Sequence, residues 1–154
     1  LSTSDLSSAN LSSANLKKAN LTKATLQNAN LKNADLTEAT LKKVDFSEAD
    51  LTGADLSGAE LNQADFSKAT LKGTKFQNAD LRGAIFSGVD LREVDLSGAN
   101  LRKIDFSGKD LRKTNFSETD LRKTNLRNCD LREANFFKAD LRGAFLDDSN
   151  LLDD

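Results

Sequence analysis

Histidine, proline, methionine, tryptophan and tyrosine are all absent from this chain of 154 residues, and Cys129 is its single cysteine. Without histidine, the chain lacks the usual general base and the commonest metal ligand. One cysteine cannot build an internal disulfide framework or a cysteine-rich zinc site. The sequence therefore predicts no enzymatic activity, no catalytic residue, no metal and no cofactor.

Long apolar runs and an excess of one charge are also missing. No stretch approaches the roughly 18 consecutive apolar residues that a membrane-spanning helix needs, so no membrane span is expected. Lysine and arginine together number 22 and aspartate and glutamate 24, which gives a net charge of −2. This balance favours neither nucleic acid nor an acidic membrane surface as a partner.

What the chain has instead is a repeat of five residues that runs through it from one end to the other. Positions 1, 6, 11 and onward to 151 are all Leu or Phe, and we call each of them the centre of a unit. The residue two before a centre, which we call the inner slot, is usually Ala. The residue directly before a centre is usually Asp or Asn. An extended backbone points the inner slot and the centre to the same side, so both are predicted to face a core.

The five-residue period excludes a continuous helix or strand. Successive centres would be scattered around a helix and would alternate between the two faces of a strand. A short extended piece followed by a turn fits the pattern, and all eight Gly residues occupy the second position after a centre. A type II turn requires a positive φ at that position, so we predict one corner in every unit.

Phenylalanine indicates how many corners close one coil. Among the centres, Phe occurs only where the residue number ends in six, so alternate sides differ and the number of sides is even. Four sides give a coil of 20 residues, about eight coils in all, with each coil contacting only its neighbours. The core stack that this arrangement predicts consists of Phe46, Phe66, Phe86 and Phe106.

The segment ADLSGAELNQADFSKATLKG (54–73) carries the motif A-(D/N)-L-x-x four times over. This motif covers the whole chain and resembles the repeat of the pentapeptide repeat family. The resemblance implies an all-β fold, a right-handed quadrilateral β-helix, as a single pentapeptide-repeat domain over residues 1–154. Some members of that family resemble B-form DNA and protect DNA gyrase from quinolones. Others, numerous in cyanobacteria and in the chloroplast lumen, are small rods or appended domains.

Arginine is confined to the second half of the chain and mostly follows Leu centres at steps of ten residues. The residues before and after a centre both point outward, so Arg and Asp are predicted to form mixed-charge columns on two opposite sides. One interpretation is a solvated surface that neutralises itself; the other is a docking face for a protein partner. The residues concerned are Arg82, Arg92, Arg102, Arg112, Arg122, Arg132 and Arg142, with Asp80, Asp90, Asp110, Asp120, Asp130 and Asp140.

Two inner slots carry unusual residues, Lys109 and Cys129. Cys129 is interpreted as a buried, inert thiol, since a redox sensor would need exposure and a lowered pKa. An unpaired buried ammonium is costly, so Lys109 is expected to reach an end or side of the coil, or to lie where the backbone bulges near Gly108. Val, Ile and Thr replace Ala around it, which predicts a wider or distorted region over 89–129. We interpret this region as a structural irregularity rather than a site.

The two ends differ in charge, and few outward positions are apolar. Those apolar positions, too scattered to predict an interface, are Ile85, Phe137, Phe145 and Leu152. Coil 1–20 has Ser at most corners, whereas the C-terminal end carries Asp147, Asp148, Asp153 and Asp154. Because a stack of coils leaves an open strand edge at each end, we expect the N-terminal coil to pair with a copy of itself, as an end-to-end homodimer, or with a preceding segment.

The leading functional hypothesis is a non-enzymatic structural or protein–protein interaction module that binds a partner protein of unknown identity along its side faces or ends. The alternative is a DNA-mimicking regulator or protector of DNA gyrase, of the quinolone-resistance type. Duplex DNA carries one negative charge per about 1.7 Å, so a mimic needs far more negative charge than the −2 of this chain. A cytoplasmic location is favoured over the thylakoid lumen or the periplasm.

Overall fold

The computed structural model describes residues 1–151. The residue before a centre forms a parallel bridge with the residue 20 positions further on, as Asp5 does with Thr25 and Asp45 with Asp65. Two turn residues follow each centre, so four sides and four turns make up one 20-residue coil. The chain is thus a β-helix with the predicted 20-residue period. Residues 1–151 contain no helix and no strand longer than a single bridge residue, because a turn interrupts every unit.

Main-chain hydrogen bonds join neighbouring coils. Leu26 N donates to Asp45 O at 2.7 Å and Asn28 N donates to Ser47 O at 3.0 Å, while Asp45 N donates back to Ala24 O at 3.1 Å. The same three bonds recur in most units. They satisfy backbone polar groups that would otherwise be buried without partners.

Each corner is a turn closed by a hydrogen bond from the inner-slot N–H to the preceding centre, as from Ala29 N to Leu26 O at 3.0 Å. In every unit from Thr3 to Asp148 the second turn residue has a positive φ, 55–63° where it is not glycine and 67–73° where it is. The predicted corner conformation is therefore confirmed. At Gly98 a side chain would also clash with Asn78 Oδ1 one coil earlier. Glycine there both adopts the positive φ of the turn and leaves room for the Asn78 side chain.

The Asp or Asn before a centre stabilises the corner that follows it. Asp45 Oδ1 accepts the N–H of Ser47 at 2.8 Å, and Asn10 Oδ1 accepts the N–H of Ser12 at 3.2 Å. Asp and Asn are well suited to this bond because their short side chains reach the backbone two residues ahead. Their frequency at this position thus reflects turn formation as well as outward orientation.

The Leu and Phe centres from 21 to 131 fill the interior, and none of them is more than 3% exposed. Phe46 and Phe66 stack with ring centroids 5.2 Å apart, and Phe66 and Phe86 follow at 5.3 Å. Phe76 meets Phe66 edge-on at 5.5 Å from the facing side. Between Phe86 and Phe106 the separation grows to 5.8 Å and the ring planes diverge by 37°.

The size of the inner-slot residue controls how tightly a corner closes. The turn hydrogen bond is 3.0 Å long at Ala29 and Ala49 but 3.3 Å at Val44 and 3.2 Å at Val89. Extra methyl groups at a packed position force small backbone shifts, which accounts for the longer corner bonds at Val44 and Val89. Alanine is therefore favoured in the inner slot, because its small side chain leaves room for the corner to close.

The Thr residues in the inner slot donate to centre carbonyls. Thr114 Oγ1 donates to Leu91 O at 2.8 Å, and Thr124 Oγ1 donates to Leu101 O at 2.9 Å. In each case the acceptor is the centre carbonyl 23 residues earlier, on the adjacent coil. A buried hydroxyl is thus hydrogen-bonded, as burial requires.

Candidate functional site

The Arg and Asp columns form ordered ion pairs within each unit. Asp130 accepts from the Arg132 backbone N–H at 3.3 Å, from Nε at 2.9 Å and from Nη2 at 2.6 Å. This two-pronged arrangement matches the planar guanidinium to the planar carboxylate. The units that share it are Asp80–Arg82, Asp90–Arg92, Asp110–Arg112, Asp120–Arg122, Asp130–Arg132 and Asp140–Arg142.

The same Arg side chains also approach the carboxylate of the next coil. Arg112 Nε lies 3.6 Å from Asp130 Oδ2, and Arg122 Nε lies 3.5 Å from Asp140 Oδ2. Arg102, which follows Asn100, lies 4.0 Å from an Asp120 carboxylate oxygen. The column of Arg92, Arg112 and Arg132 is therefore a continuous ladder of alternating charge, whereas the opposite column is interrupted at Asn100. We call the two ladders the Arg/Asp faces.

The ladders lower the pKa of their carboxyl groups. Hydrogen bonds from the Arg132 side chain lower the pKa of Asp130 to about 2, and those from Arg142 lower the pKa of Asp140 to about 2. The pKa of Asp120 is lowered for the same reason by Arg122. The carboxylates thus stay ionised across the physiological range, and the faces keep their alternating charge.

Lys109 and Cys129 occupy neighbouring coils in one inner-slot column. Lys109 is half-buried and its Nζ donates to Phe86 O at 2.6 Å, again 23 residues earlier. Burial lowers the pKa of Lys109. Cys129 is 2% exposed, its Sγ lies 3.0 Å from Phe106 O, and burial raises the pKa of its thiol. A buried thiol with a raised pKa has little thiolate and low reactivity.

The inner-slot column of Lys109 lies where the parallel bridges between neighbouring coils are interrupted. Over residues 1–151, the 20-residue register lacks three bridges, those that would join Thr70 to Asp90, Ile85 to Asp105, and Asp90 to Asp110. The main-chain contacts between coils are thus interrupted over residues 70–110 on these sides. The interruption begins earlier than the irregular region 89–129 predicted from the sequence, and it also ends earlier, because the Thr-bearing units after 110 pair normally.

No group of His, Cys, Asp and Glu side chains within the described part of the chain is arranged to hold a metal ion. The grooves at the surface are open and run along turn columns, such as the one lined by Gln77, Asn78, Ser97 and Gly98. No helix within residues 1–151 is long and apolar enough to cross a membrane.

Comparison with known families and solved structures shows which protein family has this architecture. A family model described as a pentapeptide repeat region matches residues 1–76, 59–136 and 79–153. The chain belongs to the pentapeptide repeat family. The resemblance seen in the sequence is thereby confirmed. No curated protein sequence matches this pentapeptide repeat chain.

Two similar solved structures are themselves pentapeptide repeat proteins. HetL, from the cyanobacterium Nostoc sp. strain PCC 7120 and involved in heterocyst differentiation regulation, is 34% identical, with a TM-score of 0.66. The alignment covers 97% of this chain and 73% of HetL. A protein of the Arabidopsis thaliana thylakoid lumen is 30% identical over 66% of this chain and 64% of its own, with a TM-score of 0.50.

A third structure shares the fold alone. QnrB1, a plasmid-mediated fluoroquinolone resistance protein, is 21% identical, and the alignment covers 97% of this chain and 82% of QnrB1 with a TM-score of 0.71. A fold is compatible with many functions, so this likeness assigns no activity to the pentapeptide repeat chain.

The outward apolar residues remain scattered. Ile85 is 46% exposed, Phe137 63% and Phe145 45%. Arg127 lies over the Phe145 ring, 4.5 Å from its centroid, and Lys138 lies 5.2 Å from that of Phe137. These cations cover part of both rings, so the side chains form no continuous apolar patch. The fourth predicted position, Leu152, lies outside the described residues.

The two ends of the rod differ. Leu1 is 64% exposed, and within the described chain the N–H groups of Asp5 and Asn10 have no backbone acceptor. At the other end Arg127 Nε donates to Asp147 at 2.8 Å, which partly neutralises the acidic cluster predicted there. Asp153 and Asp154 of that cluster fall beyond the described residues.

Proposed function

We propose that the chain is a non-enzymatic protein–protein interaction module whose partner docks along the Arg/Asp faces. The observation that supports this is the ordered ladder of alternating charges on two opposite sides. Arg side chains normally lose conformational freedom on binding, but here two or more contacts already hold the guanidinium of each of these Arg residues except Arg102. The conformational entropy of these Arg side chains is therefore lost when the chain folds rather than when a partner binds. Arg is also among the residues enriched at protein interfaces.

The partner that these faces suit carries its own alternating acidic and basic groups. The Asp and Arg columns neutralise each other, so a partner of a single charge gains little from them. The involvement of the similar protein HetL in regulation of differentiation is in keeping with a role in binding other proteins. We also take the rod to have the family's right-handed, four-sided form with about eight coils, and the cytoplasm to be its compartment rather than the thylakoid lumen or periplasm.

A photo-crosslinking amino acid placed at position 112 or at position 57 tests the docking face in an extract of the source organism. We expect a specific protein to be crosslinked from position 112, on an Arg/Asp face, and not from position 57, on a Ser-lined corner. With that partner purified, Arg112→Ala/Arg132→Ala is expected to weaken binding at least tenfold. Lys23→Ala/Lys43→Ala, which removes the same charge from a corner, is the control. Equal weakening by both variants would contradict the proposal.

The DNA-gyrase alternative has weaker support. QnrB1 shares the fold at 21% identity, and the net charge of −2 is small for a mimic of duplex DNA. A gyrase supercoiling assay with added protein separates the two hypotheses, since the interaction module is expected to leave supercoiling and its inhibition by quinolones unchanged.

We further propose that the N-terminal coil pairs end to end with a second copy, unless a preceding segment of the chain covers it. Its exposed Leu1 and its free N–H groups at Asp5 and Asn10 would gain partners there. Light scattering is expected to give the mass of a dimer, and Leu6→Lys to give that of a monomer, since a charge would then lie in the joint. Ser67→Lys, at a corner in the middle of the rod, is the control and should remain dimeric. A native protein that is monomeric at high concentration would exclude this pairing.

A further inference from the structure

The missing bridges lie on two adjacent sides of the rod. One side lacks Thr70–Asp90 and Asp90–Asp110, and the next lacks Ile85–Asp105. On the other two sides, at the same level, Lys75 bridges Asp95 and Asp80 bridges Asn100. We call the open corner between residues 86–89 and 106–109 the seam.

Main-chain groups at the seam lack the partners that they have elsewhere. One coil earlier, Phe66 N donates to Ile85 O and Lys68 N donates to Ser87 O, both at 2.8 Å. The corresponding N–H groups of Phe86 and Gly88, and that of Leu91, have no backbone acceptor anywhere in residues 1–151. Because these three N–H groups lack such hydrogen bonds in the native state, they are not protected against local opening.

Bulky inner-slot residues favour a wider spacing of the coils here. Val89, Val94 and Ile104 occupy consecutive or nearly consecutive inner slots, where Ala is usual. Overfilling a packed core is relieved by backbone shifts, and the Phe86 and Phe106 rings respond by moving to 5.8 Å apart with a 37° tilt. The single branched residue Val44 leaves its bridges intact.

Lys109 occupies the seam. Its Nζ donates to Phe86 O across the open corner at 2.6 Å. This acceptor lies 23 residues earlier in the sequence, as Leu91 O does for Thr114 Oγ1. The Lys side chain is three atoms longer than that of Thr, so an extended Lys side chain suits a wider spacing between inner slot and acceptor. The ammonium thus acts as a wedge that is hydrogen-bonded in the open state.

We propose that the seam is a hinge in the rod, held open by Lys109. The intact bridges Lys75–Asp95 and Asp80–Asn100 form its axis, and residues 86–89 and 106–109 form its mouth. Opening at one corner bends the rod toward the opposite corner. The hinge also lies within an Arg/Asp face, where Arg92 Nε lies 4.0 Å from Asp110 Oδ2 across it. The hinge does not depend on the docking proposal.

Amide hydrogen exchange tests the open seam. The amides of Phe86, Gly88 and Leu91 are expected to exchange at least 100-fold faster than those of Phe66, Lys68 and Leu51, which occupy equivalent positions with intact bonds. Comparable protection of the two sets would overturn the proposal.

Substitution of the wedge tests the role of Lys109. Lys109→Thr places in the slot a residue that positions 114 and 124 accommodate, so the coils should close and exchange at Phe86, Gly88 and Leu91 should slow at least tenfold. Lys109→Ala should act in the same direction, and Lys17→Thr, at an exposed corner whose hydrogen bonds to the next coil are intact, should have no effect. Unchanged exchange in both Lys109 variants would show that Lys109 is not the wedge.

Distance measurements between spin labels test the bending itself. Labels at Gln27→Cys/Ser107→Cys span the mouth, and labels at Thr37→Cys/Ser117→Cys span the same number of residues along the axis edge. We expect a broader distance distribution for the mouth pair, which narrows on Lys109→Thr. Equal widths for the two pairs would rule out a hinge.

Discussion

Phe66→Ala is expected to lower the free energy of unfolding by about 3–5 kcal/mol, the usual cost of removing a fully buried aromatic ring. Phe66 is completely buried, lies between Phe46 and Phe86 at 5.2 and 5.3 Å, and meets Phe76 edge-on. Bonded coils above and below cannot collapse into the space. The cavity therefore remains, and chemical denaturation should report its full cost.

Ser67→Ala, one residue later at the corner, is the matched control and should change stability by no more than about 0.5 kcal/mol. Phe86→Ala should cost less than Phe66→Ala, because the coils around Phe86 are already apart. Similar losses at Phe66 and Ser67 would refute the assignment of inner and outer positions. Similar losses at Phe66 and Phe86 would argue against a loosened core at the seam.

Much of the fold could be predicted because each unit repeats the same local solution. A Gly at the second turn position in eight units was enough to predict a positive φ in all units, including those with Lys or Glu such as Lys43 and Glu48. These residues accept a conformation that is unfavourable for most side chains. They do so because hydrogen bonds to the adjacent coils fix the corner.

Less could be predicted about the Arg/Asp faces and the seam, because their geometry depends on small displacements of side chains and coils. The spacing of Asp130 and Arg132 predicted neighbouring charges, but not that Asp130 also caps the turn and so aligns itself for a two-pronged pair. The preference of Asp for bonding the N–H two residues ahead could have indicated this. The seam was predicted only as a broad irregularity, since periodicity shows which inner slots are bulky but not which bridges give way.

The inner slot explains both the regular and the irregular parts of the rod. Ala lets the coils approach closely, Thr keeps that spacing by bonding to a centre carbonyl, and consecutive branched residues exceed the available room. Lys109 makes the same bond as Thr at a larger spacing. A single position in the repeat thus influences how closely neighbouring coils approach.

Acid should unfold this protein in one transition below about pH 4, after a plateau of constant stability between pH 5 and 7. The plateau follows from the absence of histidine, since no other side chain ordinarily titrates in that range. The folded-state pKa of Asp130 and Asp140 is about 2, below the ordinary value of 3.8. Between these values the unfolded chain binds more protons, so stability is present above about pH 4 and is lost as the pH falls toward 2.

Circular dichroism and denaturant titration across pH 2–8 measure this dependence. The variant Asp120→Asn/Asp130→Asn/Asp140→Asn keeps an acceptor for each turn N–H, as Asn115 does for Ser117 at 3.1 Å, but removes three titrating groups. It should be less stable than the native protein at pH 7 and should lose less of its stability between pH 5 and pH 2. Asp148→Asn, at an exposed corner, is the control and should follow the native curve. If the triple variant keeps the full native pH dependence, the ladder carboxylates do not govern acid stability.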